Sequence, residues 1–152
     1  DPTIVEALLR SKIIYLLGGF PRHLADSLSG SDSWQAILKA YKSGAVIAGR
    51  SAGVMIVCDM YYDPFGKQTR NGLGLIPGAC VIPHHDTFGK DWAPELSRRL
   101  PGTMLIGIDE QSGMVDDGPR GGWQAYGSGG VTLYQHDLQL QYAAGQPFEL
   151  KI

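Results

Sequence analysis

The sequence is poor in charge and in cysteine. Charged residues occupy 18% of its 152 positions and the formal net charge is −2. That balance offers no electrostatic footprint for a nucleic acid or an anionic membrane surface, and neither is expected as a partner. No run of about 18 apolar residues is present, so no membrane-spanning segment is read. Two cysteines, Cys58 and Cys80, each sit among apolar neighbours, which favours buried free thiols over a disulfide. They read as buried free thiols in a reducing compartment, and with no secretory signal visible the expected location is cytoplasmic. Repeats, low-complexity tracts and interdomain linkers are also missing.

What the chain does have is glycine, 21 residues of it, interleaved with apolar runs. Such interleaving means many tight turns in a packed domain rather than disorder. One domain spanning residues 1–152 is expected. Asp1-Pro2 opens a helix striped with Ile4, Val5, Leu8 and Leu9. Residues 13–17 are continuously apolar and read as a buried parallel strand, ending in Gly18-Gly19-Phe20-Pro21. A short amphipathic segment over 23–28 follows, then a helix capped near Ser31 and running through Tyr41. Residues 45–48 form the next strand. Farther on, 59–75 reads as loop with turns, 79–83 as a short strand, 92–100 as a helix, 104–109 as a buried strand and 113–117 as a short strand. Residues 123–126 and 131–134 flank Gly127-Ser128-Gly129-Gly130, a hairpin signal, and the alternation over 138–142 adds a further strand. The expected fold is α/β: a parallel-rich, three-layer arrangement with helices on both faces of the sheet, plus a small C-terminal antiparallel β unit. Ligands of such sheets bind at the C-terminal strand ends. The loops at 18–20 and 49–51 both leave from such ends.

The second of these loops is Gly49-Arg50-Ser51-Ala52-Gly53. Gly-x-Ser-x-Gly between a strand and a helix is the pattern of a nucleophile elbow, where a tight turn lifts the serine hydroxyl to the mouth of the sheet. The amide of Ala52 then sits where an oxyanion would form. A serine nucleophile needs a base, and the base an orienting acid. Of His23, His84, His85 and His136, His84 follows a strand and a proline, where a side chain faces the crevice. His23 reads as a helix-surface residue and His136 as exposed beside the C-terminal hairpin. Adjacent His84 and His85 point to opposite faces in an extended stretch, so one metal rarely takes both, and no metal or cofactor is expected. Glu110, at the end of an otherwise apolar strand, is the candidate acid; Asp109 and Asp86 are the alternatives.

Gly18-Gly19, Gly49-Arg50-Ser51-Ala52-Gly53, Gly72-Leu73-Gly74-Leu75, Pro83-His84 and Gly107-Ile108-Asp109-Glu110, in that order, resemble the dipeptidase E and cyanophycinase family of serine peptidases. The resemblance runs from about Lys12 to Tyr134. It implies a fold like the class I glutamine amidotransferases, with serine at the elbow, and hydrolysis of small peptides, Asp-X dipeptides among them. By the same resemblance Ser51 is the nucleophile, His84 the base and Glu110 the third member, with the backbone amides of Gly19 and Ala52 as oxyanion donors. Two positions depart from the family. Phe20 stands where a polar residue, often Asn, usually follows the glycines. The basic residue that holds a substrate aspartate has only Lys90 as a candidate, within Thr87-Phe88-Gly89-Lys90-Asp91-Trp92. The resemblance also implies that the first strands of the sheet precede Asp1, so that the edge at residues 13–17 is covered by that segment or by a second copy of the chain.

Two other readings of the residues stay open. An α/β-hydrolase esterase would use Ser51, Asp116 and His136 in that chain order. A shortened, inactive relative would serve as a binding or assembly module. A glutamine amidotransferase is disfavoured by serine at the elbow.

Overall fold

Asp1 caps the first helix, α1 (Pro2–Arg10), where its carboxylate accepts the Thr3 amide at 2.9 Å. Ser31 does the same for α3 (Asp32–Lys42), accepting from the Trp34 amide at 3.1 Å. Between them lie β1 (Ile13–Leu16) and α2 (Pro21–Leu28). The buried face of α3 packs Trp34, Ile37 and Ala40 against Ile14 and Leu16 of β1. The protein is seen here in a computed structural model that describes residues 1–118, 122–135 and 138–150.

Strand β2 (Val46–Gly49) runs parallel to β1, with Leu16 opposite Gly49. The two strands therefore end level, and the Arg50 amide donates to the Leu16 carbonyl at 3.0 Å. The expectation that residues 13–17 are buried throughout is corrected here. Ile14 and Leu16 are buried, while Ile13 is 69%, Tyr15 53% and Leu17 68% exposed. A continuous apolar run implies cover on both faces; only the face toward α3 has it among the described residues.

After the elbow come α4 (Ala52–Ile56), β3 (Met60–Asp63) and β4 (Gln68–Asn71), the last two forming an antiparallel hairpin. This corrects the reading of 59–75 as loop. The turn residues Asp63-Pro64-Phe65-Gly66 dominated the pattern, but Tyr61 is buried against Ala25, Met55 and Ile56 and fixes β3 to α2 and α4. Asp63 closes the turn by accepting the Phe65 amide at 3.1 Å.

The second half centres on β5 (Ala79–Pro83) and β6 (Met104–Ile108), parallel, with Pro83 opposite Ile108. A 3₁₀ turn (Gly89–Trp92) and α5 (Ala93–Arg99) connect them. Then follow β7 (Ser112–Val115), β8 (Trp123–Gly127), β9 (Gly130–Gln135), β10 (Leu138–Ala143) and β11 (Pro147–Phe148). A four-stranded sheet has the order β10-β9-β6-β5, and a three-stranded one β11-β8-β7. The expected hairpin between 123–126 and 131–134 does not form: β8 pairs with β7 and β11, β9 with β6 and β10. The reason is local. The Ser128 amide donates to the Gln111 carbonyl at 3.1 Å and the Gly129 amide to the Ser112 hydroxyl at 2.8 Å. The glycine turn is thus held on the loop after β6, and β9 is delivered to the edge of β6.

The architecture is a mixed α/β one. Among the described residues two of seven strand pairings are parallel, β1 with β2 and β5 with β6. Parallel pairing is thus found between the strands that lead into the candidate loops and in a lone bridge between Cys58 and Ile76, rather than dominating as expected. The core under β5 joins Ala79, Val81, Ile106, Val131 and Leu133. Cys58 and Cys80 are free and buried; burial pushes the Cys80 thiol up to about 12 and the Cys58 thiol up further.

Candidate active site

Ser51 sits at φ 51°, ψ −119°, between β2 and α4. A non-glycine residue held at positive φ stores backbone strain and needs close surrounding structure to keep it there. That structure is the pair of flanking glycines. A Cβ on Gly53 would stand 2.1 Å from the Leu16 carbonyl oxygen, and one on Gly49 would stand 2.7 Å from the Val54 nitrogen. Neither position tolerates a side chain, so the elbow is pressed against the end of β1. The loop after β1 touches the serine: a Cβ on Gly18 would lie 3.2 Å from Ser51 Cβ.

The serine hydroxyl lies 3.1 Å from His84 Nε2, and His84 Nδ1 lies 3.0 Å from Glu110 Oε1. A carboxylate at Nδ1 keeps the proton there, so Nε2 is free to accept from the hydroxyl. The fold explains the meeting. Strands β5 and β6 end in register, so residues 84–86 and 109–110 leave the sheet side by side. His84 is itself at φ 53°, which turns its ring away from that of His85. His85 points inward instead. Its Nδ1 donates to Asp109 Oδ1 at 3.0 Å, and its Nε2 accepts from the Tyr134 hydroxyl at 2.6 Å. Burial, with the Asp109 charge adding, pushes the Tyr134 hydroxyl up from its ordinary value and keeps it a donor. The His85 and Asp109 side chains are 9% and 10% exposed; those of His84 and Glu110 are 29% and 49% exposed. The outer pair is open to a ligand and the inner one is sealed.

The other candidate positions sort as follows. The amides of Gly19 and Ala52 donate to no acceptor among the described residues, and both lie in segments that adjoin Ser51. Asp86 does not reach His84. Its Oδ1 accepts the Glu110 amide at 2.7 Å, so it ties the histidine loop to the acid loop. His23 is exposed on α2. Lys90 is exposed on the 3₁₀ turn. Asp116 lines the cavity described next, and His136 lies outside the described residues. A cavity of about 1140 Å³ opens at Ser51, His84 and Glu110 and continues as a trough between β2 and β5, past Ile47, Val54 and Val81.

Sequence reasoning missed the roles of His85, Tyr134 and Asp86. The signal for the first was a His-His-Asp segment and an Asp-Glu segment ending two strands that pair in register. It singled out Phe20 as a departure from the family but did not foresee three exposed rings. Phe20, Phe65 and Phe88 each stand in a turn beside Gly, Pro, Asp or Thr, where polar residues are the rule.

The family model described as peptidase family S51 matches residues 1–119. A peptidase from an acI-B1 Actinobacterium, known as a crystal structure, is 33% identical over 99% of this chain, with a TM-score of 0.87. A putative peptidase E protein from Listeria monocytogenes EGD-e superposes over 95% of this chain with a TM-score of 0.61 at 16% identity, a likeness of fold. This chain spans 64% and 65% of the lengths of those two chains. No curated protein matches.

Proposed function

The chain belongs to peptidase family S51, and from that premise we propose that it hydrolyses small peptides through an acyl-enzyme on Ser51. The observation that carries this reading is the unbroken line from Ser51 Oγ to His84 Nε2 at 3.1 Å and from His84 Nδ1 to Glu110 Oε1 at 3.0 Å. His84 takes the serine proton as Oγ attacks the peptide carbonyl. The amides of Gly19 and Ala52 receive the charge that develops on the carbonyl oxygen, each such donor contributing about 3 kcal/mol at the transition state. Glu110 holds the imidazole in the tautomer that accepts at Nε2 and stabilises the imidazolium. His84 then protonates the leaving amine, and water, deprotonated by the same imidazole, releases the acid. The free, buried Cys58 and Cys80 support a reducing, cytoplasmic setting.

The test pairs a serine-directed fluorophosphonate probe with a panel of dipeptides and blocked dipeptides. Labelling is expected at Ser51, and Ser51→Ala is expected to lose both label and hydrolysis, the latter on the order of 10⁴-fold or more. Hydrolysis that survives Ser51→Ala removes the nucleophile assignment.

A further inference from the structure

We infer that the substrate peptide carries an aromatic or large aliphatic side chain beside the scissile bond, received by an arc of aromatic rings that borders Ser51 and His84. The inference rests on the hydrolytic reading above and names its substrate class. The chain contains four phenylalanines. Phe148 is buried, whereas Phe20 is 62%, Phe65 70% and Phe88 50% exposed. Single exposed apolar residues are ordinary, but a contiguous exposed set marks a binding surface. These three belong to one set that borders the site. Phe20 follows Gly19 directly, in the loop whose Gly18 abuts Ser51. Its ring packs on Phe65, at the tip of the β3–β4 hairpin, with centroids 4.9 Å apart. Tyr62 of the same hairpin meets Trp92 at 5.0 Å, and Trp92 meets Phe88 at 5.5 Å. Phe88 in turn stacks on the His84 imidazole at 5.0 Å, the planes inclined by 26°. The arc therefore has two arms that meet at the β3–β4 hairpin: Phe20 and Phe65 begin at one oxyanion loop, and Tyr62, Trp92 and Phe88, the first two partly buried, end on the base. None of its phenylalanines lines the cavity that opens at Ser51, His84 and Glu110 and runs between β2 and β5, so the arc receives the side chain outside that cavity.

The chemistry assigns each end of the arc. The leaving amine takes its proton from His84 Nε2, so the residue that carries this amine passes Phe88, the ring stacked on that imidazole. The residue on the acyl side passes the Gly18-Gly19 loop and meets Phe20 and Phe65. A carboxylate side chain finds less here. Arg22 faces Asp26 at 3.5 Å and Arg70 faces Asp63 at 3.7 Å. Lys90 and Arg50 make no ion pair among the described residues; Arg50 precedes Ser51 and lines the cavity there, so these two are the candidates for an aspartate anchor.

The experiment measures kcat and KM for blocked dipeptides with Phe, Leu, Ala or Asp at either side of the scissile bond. It compares the chain with Phe65→Ala, Phe65→Leu, Lys90→Met and Arg50→Met. Phe and Leu are expected to exceed Ala and Asp in kcat/KM by about tenfold or more. Phe65→Ala should erase most of that margin on the acyl side through KM, and Phe65→Leu should retain most of it, because a side chain bound equally in ground and transition states acts on KM. Three results overturn the inference while leaving the hydrolytic reading intact: Ser51-dependent cleavage with no apolar margin, an Asp preference lost in Lys90→Met or in Arg50→Met, or labelling of Ser51 without cleavage of any apolar member. Absence of both labelling and cleavage removes the hydrolytic reading, and this inference falls with it.

Discussion

Two neighbouring imidazoles, His84 and His85, take opposite parts in this molecule because one positive φ separates their directions. His84 turns to Ser51 and Glu110 in the open; His85 is sealed against Asp109 and Tyr134. Their carboxylate partners should respond differently to neutralisation. Glu110→Gln keeps the shape but favours the wrong tautomer of His84, so kcat is expected to fall by roughly 10²- to 10⁴-fold with little change in thermal stability. Asp109→Asn disturbs the carboxylate that accepts from both His85 Nδ1 and the Gly130 amide, and its cost of about 1.5–3 kcal/mol, that of a hydrogen bond to a charged group, falls on stability. Urea titrations and steady-state kinetics on the two variants separate these outcomes; the opposite pattern would exchange the roles of the two acids. At this scale the sequence was informative. Gly-x-Ser-x-Gly, a histidine after a strand-end proline and an acid closing an apolar strand picked out residues that the fold brings within hydrogen-bond reach. Asp86 was not legible, because whether a carboxylate meets a ring or an amide depends on how a bending loop is threaded, and periodicity carries no information on that.

Elements explain why the site is held together. Loops 84–86 and 109–111 follow two parallel strands in register, and three links lace them: His84 to Glu110, His85 to Asp109, and the Glu110 amide to Asp86 at 2.7 Å. The last link fixes the backbone from which the Glu110 side chain projects. Asp86→Ala is therefore expected to lower kcat by about tenfold with KM little changed, since a lost hydrogen bond to a charged group is worth about 1.5–3 kcal/mol. Asp86→Asn retains an oxygen acceptor and should recover most of the rate. Equal losses in the two variants would mean that the charge of Asp86, not its hydrogen bond, is what matters. The same scale shows where pattern reading failed. Capping residues and apolar stripes found α1 and α3, and short apolar runs found β1, β2, β5 and β6. Pattern reading paired β8 with β9 because a glycine-rich turn separates them, whereas Asp109 and Ser112 capture that turn: the Gly130 amide donates to Asp109 Oδ2 at 2.9 Å. It missed β3 and β4 because only Tyr61 and Asp63 of β3 are buried, too few positions for alternation to stand out from the turn between them.

For the whole molecule, the imbalance is on the β1–β2 layer. One face carries the core of Ile14, Leu16, Trp34 and Ile37. The other presents Ile13, Tyr15 and Val46, with Leu17 just beyond β1, all more than half exposed, and beside it the trough of about 1140 Å³ separates β2 from β5. Each of β1 and β2 pairs only with the other among the described strands, so backbone donors and acceptors on their outer edges are free to template a further strand. Apolar surface of this kind together with open strand edges drives association. Studied as this chain, the protein is expected to self-associate reversibly, with a sedimentation coefficient that rises over a range of about 1 to 100 µM. Replacing exposed residues of that face, Tyr15→Lys with Leu17→Lys, places repelling charge on the surface without touching Ile14 or Leu16, and should return the chain to a monomer that still melts cooperatively. A chain that sediments as a monomer throughout that range would mean that the bare face and the open edges are tolerated in water, and that cover by a second copy is not what they require.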